Sequence, residues 1–166
     1  ILILLLAGSC TLSSTPTPEV SMLPEQVTSA TIADVEELAG FDVREPSYLP
    51  TGVSFGSAAY QSTPNPFVIL QFQLKHETYG DMGNFFQIVQ ERQSEAPADV
   101  LKCGEISEGC EILSINGISV VYHQNPAGTE GLDWYADGFV FRLLRTAGEP
   151  NKIYRDELIK VVESMK

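Results

Sequence analysis

Two dipeptides, Asn-Gly and Asp-Gly, each set between apolar runs, constrain the fold of this chain more than any other feature. They occur in EILSI-NG-ISVVYH, residues 111–123, and in LDWYA-DG-FVFRLL, residues 132–144. Such dipeptides readily adopt the positive φ angles that a tight two-residue hairpin requires. In the second segment apolar side chains alternate with Asp133, Tyr135 and Arg142, so at least one face is predicted to be buried. We therefore expect two antiparallel hairpins.

Shorter strand-like runs precede the hairpins, and a helical pattern lies at each end of the folded part. The runs are separated by Pro and Gly and read FDV, VSFGSAAY, FVILQFQL and NFFQIVQER. Thr31 opens a variant of the capping box, and Gly40 ends the first helix. The apolar stripe of a second helix comprises Leu158, Val161, Val162 and Met165. The predicted fold is α+β, a curved antiparallel sheet of about seven strands with an N-terminal and a C-terminal helix packed on it.

The charge balance argues against one class of partner. Ten Lys and Arg stand against 22 Asp and Glu, which gives a net charge of −12. A surface of this sign repels phosphate backbones, so we expect no nucleic-acid partner. The acidic excess is interpreted as a solubilising surface rather than a specific cation site.

The first 27 residues divide into an apolar segment and a polar one. Residues 1–10, ILILLLAGSC, are too short to cross a bilayer, which takes about 20 apolar residues, and are typical of the end of a secretory signal peptide cut short upstream. Residues 11–27 are rich in Ser, Thr and Pro and are expected to form a flexible tether. Residues 28–166 are expected to form a single globular domain. The alternative is a transmembrane helix whose first half is missing, with Cys10 incidental.

The sequence Leu6-Ala7-Gly8-Ser9-Cys10 resembles the lipobox of bacterial lipoproteins. The resemblance implies that Cys10 becomes the N-terminus and carries a diacylglyceryl thioether with palmitate-like chains. Each buried methylene contributes about 0.8 kcal/mol, so two chains give a stable anchor. We therefore expect a protein that is exported and lipid-anchored to the outer face of a bacterial membrane.

An exported location favours a disulfide between Cys103 and Cys110. Lipidation of Cys10 leaves these two as an even pair, and the glycines of CGEISEGC let the loop turn back on itself. Two free thiols remain the alternative. The spacing lacks the Cys-x-x-Cys of redox sites and the short cysteine clip of zinc sites.

Acidic residues surround the cysteine loop, namely Glu105, Glu108 and Glu111. They could offer oxygens to Ca²⁺, but such sites take six to eight oxygens in a set order. A solvated acidic turn is the preferred interpretation, and we expect no metal site.

Catalytic groups are sparse in this sequence. His76 and His123 are the two histidines, and HETYG lacks the second histidine of the helical metalloprotease motif. His123 follows an apolar strand and is expected to be a hydrogen-bonded structural histidine. Asp133 and Asp137 are interpreted as exposed flanks of a hairpin rather than a catalytic carboxylate pair. We therefore assign no catalytic residue and no cofactor and expect no enzymatic activity, with an envelope hydrolase using a histidine as the remote alternative.

Three segments resemble a known family over residues 31–166. FDVREPSYLPTG resembles the opening motif of the domain of unknown function 4367, LDWYADGFVFRLL its tryptophan-containing hairpin, and DELIKVVESMK its closing helix. The resemblance implies a bacterial membrane-anchored protein. Some members are related to anti-sigma factors, and others are grouped with lipoprotein carriers of half-barrel shape. It supplies no catalytic residue.

Together these features predict a membrane-tethered extracytoplasmic lipoprotein that acts as a binding or sensory module. Its partners would be the membrane, through the lipid anchor, and an envelope protein or polymer. The alternative is a lipid or lipoprotein carrier with an apolar half-barrel cleft, lined by FVILQFQL and the C-terminal helix. The sequence assigns no ligand and no oligomeric state.

Overall fold

A computed structural model describes residues 26–29, 31–62, 65–76, 80–98, 100–103, 109–124, 129–145 and 155–166, with side chains throughout except at 26–29, 75–76 and 80–85. The predicted end of a signal peptide, Cys10 and residues 11–25 of the predicted tether lie outside the described residues, and so do Glu105 and Glu108.

One antiparallel sheet organises the chain. Its strands are β1 Gln26–Ser29, β2 Val53–Gln61, β3 Phe67–His76, β4 Gly80–Arg92, β5 Glu111–Ile115, β6 Ile118–Gln124, β7 Glu130–Ala136 and β8 Phe139–Arg145. The strands lie in the order β1-β2-β3-β4-β8-β7-β6-β5. Each half of the chain therefore forms its own meander, and the β4–β8 ladder joins the two, with Ile88 opposite Leu143.

Both predicted hairpins are confirmed. The β5–β6 turn has Asn116 at φ 50° and Gly117 at φ 81°, and the β7–β8 turn has Asp137 at φ 49° and Gly138 at φ 82°. Positive φ at both central residues gives the twist that matches paired strands. The turns thereby fix the register, which sets Ala136 opposite Phe139 in the second hairpin.

The two helices pack on the sheet, which confirms the α+β prediction. Helix α1, Ile32–Ala39, begins at Thr31, whose hydroxyl accepts a hydrogen bond from the Asp34 amide, and ends at Gly40 in the left-handed conformation, φ 68°. Helix α2, Arg155–Glu163, is too short to be stable alone, so its packing must hold it. Its buried residues join the same apolar cluster as Val35 of α1 and are Leu158, Val161 and Val162.

Trp134 belongs to this cluster and lies on the buried face of the second hairpin. Its side chain is 2% exposed, and its ring stacks on that of Phe141 with centroids 5.0 Å apart. The cluster takes residues from both meanders, including Phe86 of β4 and Leu132 of β7. The inner face of the sheet, which faces the helices, is therefore packed across its central strands.

Two details differ from the sequence expectation. The FDV segment, residues 41–43, lies outside the sheet because its backbone bonds to side chains instead of a strand; the Val43 amide donates to Glu36 Oε1 at 2.8 Å. The sheet also contains β1, which pairs with β2 and starts within the last two residues of the predicted tether. Among the described residues the sheet thus has eight strands, close to the predicted number of about seven.

The connection from β4 to β5 starts beside the outer face of the sheet, where Tyr135 bonds to it. Val121 and Val140 point away from the helices by strand alternation, yet they are buried, as is Val100 of this connection. The Tyr135 hydroxyl donates to the carbonyl oxygen of Ser94 at 3.3 Å, which fixes the start of the connection. Within the described ranges no helix is long and apolar enough to cross a membrane.

Candidate functional site

An open cleft lies at the end of the sheet where the β7–β8 turn meets the segment after α1. Its volume is about 660 Å³. Its described lining, which we call the arginine cleft, consists of Gly40, Phe41, Asp42, Val43, Arg44, Arg92, Phe139 and Lys166. No pattern in the sequence points to this site, because its residues come from four distant parts of the chain.

A buried glutamine holds the first wall of the cleft in place. Gln90 of β4 is fully buried and points towards the helices. Its Oε1 accepts from the Arg44 amide at 2.9 Å, and its Nε2 donates to the Arg44 carbonyl oxygen at 2.7 Å. The side chain thus pairs with this backbone as a neighbouring strand would. The segment after α1 is therefore tied to the centre of the sheet without belonging to it.

The guanidinium group of Arg44 is positioned on two sides. Nη1 donates to Asp137 Oδ2 at 2.8 Å, which uses the carboxylate that the β7–β8 turn exposes. The same group lies 5.8 Å from the Phe139 ring centroid and 6.0 Å from that of Phe141. Cation–π attraction at such distances contributes about 0.5–1 kcal/mol at exposed sites. Arg44 is therefore preorganised at the rim of the cleft.

The opposite walls come from β4, β8 and the segment after α2. Arg92 lies across from Phe139 in the β4–β8 ladder, and the Phe41 ring meets Phe139 edge-on with centroids 5.0 Å apart. The Lys166 amide donates to the carbonyl oxygen of Glu45 at 3.3 Å. The cleft consequently combines an aromatic wall with three cationic side chains.

The predicted disulfide between Cys103 and Cys110 is present, with a Cα–Cα distance of 5.6 Å. Of the acidic residues around this loop, Glu111 forms an ion pair with Arg155 of α2. Within the part of the chain that the structure describes, no three His, Cys, Asp or Glu side chains are grouped so that they could hold a metal ion.

His123 lies on the outer face of the sheet, paired with Asp133. His123 Nε2 is 3.4 Å from Asp133 Oδ2, and this hydrogen bond raises the pKa of His123 while burial opposes the shift. The imidazole sits directly over Gly131, where an added Cβ would lie 2.2 Å from its Cε1. His123 is thus hydrogen-bonded on a strand, as expected, whereas Asp133 is half-buried and paired rather than an exposed flank. Asp137 is exposed, as expected, and pairs with Arg44.

A buried ionic group on the inner face was not foreseen from the sequence. Arg145 forms an ion pair with Glu130, and the side chains of both are almost fully buried. The Tyr122 hydroxyl donates to Glu130 Oε1 at 2.9 Å, and burial together with this bond raises the pKa of Tyr122 to about 12. Arg155 lies over the Tyr122 ring, 4.8 Å from its centroid. These contacts tie the start of α2 to the second meander.

Comparison with known proteins identifies one family. The family described as Domain of unknown function (DUF4367) matches residues 43–165. The match runs from the first wall of the arginine cleft to the segment after α2. No curated protein and no solved structure matches the chain significantly.

Proposed function

Because the chain belongs to the DUF4367 family, whose description names no activity, we propose a function from its geometry: an extracytoplasmic, membrane-tethered binding module whose ligand enters the arginine cleft. The proposal has two parts, a location and a binding site. They are supported by different features and tested separately.

The location is supported by sulfur chemistry. Disulfides form and persist in oxidising compartments outside the cytosol, and the Cys103–Cys110 bond favours such a place. The lipobox-like segment ending at Cys10 supplies the lipid anchor, and residues 11–27 supply the tether. Mass spectrometry of the membrane fraction is expected to find a diacylglyceryl adduct on Cys10. A Cys10→Ala variant should lose the adduct and leave the membrane fraction; a wild-type chain that partitions with cytosolic proteins would contradict the location.

The arginine cleft carries the binding part of the proposal. Ligand sites are concave, have volumes of roughly 300–1,000 Å³, and combine an apolar lining with a few convergent polar groups. The cleft has about 660 Å³, an aromatic wall at Phe41 and Phe139, and a cation held at its rim by Asp137. Its size suits a small molecule or one residue of an envelope polymer.

The composition of the cleft supports binding rather than catalysis. Its described lining contains no Ser, Thr, Cys or His, and the groups in it that could act as acid or base, those of Asp42 and Lys166, are both exposed. The described imidazole, that of His123, lies on the outer face of the sheet, whereas Arg92 and Phe139 belong to the inner face. A ligand in the cleft would therefore contact charged and aromatic side chains that can bind it.

The carrier alternative receives less support from these contacts. A carrier of acyl chains needs apolar room between the sheet and its helices. Trp134, Phe86 and Leu158 are buried in that position, and the cleft has charged side chains along its lining. We therefore put forward the binding module alone.

The binding part is tested by NMR titration of the Cys10→Ala chain with fractions of the envelope and with a fragment library. We expect ligands to shift the amide signals of Gly40, Val43 and Phe139. Asp42→Trp, which puts a bulky side chain into the lining of the cleft, should abolish these shifts, whereas Glu95→Trp on an exposed loop should leave them intact. Failure of every fraction and fragment to shift the cleft signals would overturn the proposal.

A further inference from the structure

The arginine cleft reverses the charge balance of the whole chain. Ten Lys and Arg stand against 22 Asp and Glu in the sequence, whereas the described lining has Arg44, Arg92 and Lys166 against the single carboxylate of Asp42. Charges of one sign in a concave surface attract ligands of the opposite sign and raise their local concentration. An anion repelled by most of this surface would therefore meet attraction at the cleft.

The three cations differ in how they are held. Arg44 is bound to Asp137, which fixes its guanidinium and offsets its charge. Among the residues described, no ion pair joins Arg92 or Lys166 to a carboxylate. Both side chains are exposed. Arg92 and Lys166 are consequently the groups whose charge is available to a ligand.

The position of Arg92 adds a second element of recognition. It faces Phe139 across the β4–β8 ladder, and Phe139 in turn contacts Phe41. A planar guanidinium beside an aromatic wall suits a ligand whose carboxylate or phosphate is joined to a flat apolar part. Guanidinium groups bind such oxyanions through two parallel hydrogen bonds, about twice as strong as neutral ones.

We infer that the arginine cleft binds the carboxylate or phosphate group of an anionic ligand through Arg92 and Lys166, with the rings of Phe41 and Phe139 against the adjoining apolar part. This inference rests on the proposed function, because it names the ligand class of the same cleft. It assigns the recognition of charge to two residues that are far apart in the sequence.

The test uses three probes that share a phenyl ring and differ in the group attached to it, each added to the Cys10→Ala chain: benzoate, phenyl phosphate and neutral benzyl alcohol. We expect the anions to shift the amide signals of Val43 and Phe139 with a Kd at least about tenfold below that of benzyl alcohol. Added NaCl should weaken the binding of the two anions. Arg92→Gln should raise the Kd of the anions about tenfold. Lys102→Gln, an equal charge change at an exposed site outside the cleft, should alter it less than about twofold.

The outcomes separate this inference from the proposed function. Equal binding of benzyl alcohol and the anions, or an unchanged Kd in Arg92→Gln, would overturn the anion site while a cleft that binds other ligands survives. Absence of cleft shifts with all probes and all envelope fractions would overturn both. A stronger response to benzoate or to phenyl phosphate tells a carboxylate ligand from a phosphate one. If Arg92→Gln loses the wild-type circular dichroism spectrum, Lys166→Gln provides the same comparison.

Discussion

Single residues in this fold take their properties from partners on neighbouring strands. Asp133 and Asp137 belong to one hairpin, yet Asp133 pairs with His123, whereas Asp137 pairs with Arg44. Strand alternation does not separate the two carboxylates, because residues four positions apart share a face of a strand. The turn separates them, because Asp137 lies beyond the end of β7 at a positive φ angle. Because the two carboxylates belong to one hairpin but have different partners, a substitution of one serves as the control for the same substitution of the other.

Asp133→Asn is expected to return the pKa of His123 towards its ordinary value, because the bond to Asp133 is the main cause of its rise. A raised folded-state pKa stabilises the fold below the unfolded-state pKa, and this contribution is lost as pH rises through the folded-state value. The loss of unfolding free energy caused by Asp133→Asn should therefore be larger at about pH 5.5 than at about pH 8.5.

Histidine NMR titration and urea unfolding at the two pH values measure this prediction. Asp137→Asn is the control, since it removes a carboxylate from the same hairpin without touching His123. A His123 pKa that is equal in wild type and Asp133→Asn would contradict it.

Glu130→Gln is expected to lower the unfolding free energy by about 3–5 kcal/mol, because it removes one charged partner of a buried ion pair. The pKa of Tyr122 should also fall below about 12, since its bond to Glu130 contributes to the rise. Urea unfolding followed by Trp134 fluorescence and ultraviolet titration of tyrosine measure the two effects. Glu111→Gln breaks an exposed ion pair and should cost no more than about 1 kcal/mol; equal losses in both variants would refute the prediction.

At the scale of helices, strands and turns, features that depend on neighbouring residues could be predicted from the sequence, whereas features that depend on distant contacts could not. The Asn116-Gly117 and Asp137-Gly138 turns and the Thr31 cap depend on neighbouring residues alone, so their patterns predicted them correctly. The FDV segment looks like a strand locally, but its Val43 amide bonds to the side chain of Glu36. The next residue, Arg44, bonds to the side chain of Gln90, 46 positions away. No periodicity reveals such a partner.

Gln90→Leu is expected to destabilise the fold by about 2–3 kcal/mol, because the Arg44 amide and carbonyl lose their buried partner. The same change should broaden the amide signals of the segment after α1 and weaken ligand binding at the arginine cleft. Gln87→Leu, on the outer face of the same strand, should change stability by less than about 0.5 kcal/mol. Denaturant unfolding with NMR line widths measures both; comparable losses would count against the role assigned to Gln90.

Reduction of the Cys103–Cys110 bond is expected to lower the unfolding free energy by about 2.5 kcal/mol, since the bond closes a short loop and limits the denatured chain. Urea unfolding with and without dithiothreitol measures the loss. The double variant Cys103→Ser, Cys110→Ser should match the reduced wild type and be insensitive to dithiothreitol. An unchanged midpoint on reduction would contradict the assignment of a structural bond.

At the scale of the whole molecule, the features that matter most are the net charge and the topology of the sheet. The α+β class, the two helices and the family were accessible from sequence because they depend on periodicity and on motifs. The arginine cleft was not accessible, because it needs the packing of Phe41, Arg92, Phe139 and Lys166 from separate elements. A charge of −12 is visible in the composition, but its reversal at one cleft is a property of the fold.

Added NaCl is expected to raise the thermal unfolding midpoint, because ions screen the mutual repulsion of the acidic surface. Calorimetry over a range of NaCl concentrations gives the slope. A variant with Glu37→Gln and Glu95→Gln, both exposed, should show a shallower slope and a higher midpoint at low salt. A midpoint that falls with NaCl would show that attraction between charges, including Glu130–Arg145, outweighs repulsion.

The β4–β8 ladder has a consequence for how this chain acquires its shape. The first meander can form as soon as it has been synthesised, but β4 then remains an edge strand with unpaired backbone groups. Residues 93–138 must follow before β8 can pair with it. The partly synthesised chain consequently has an unpaired edge strand at what becomes the centre of the sheet. Until β8 has been synthesised and pairs with β4, this edge is the part of the nascent chain that is most prone to aggregation.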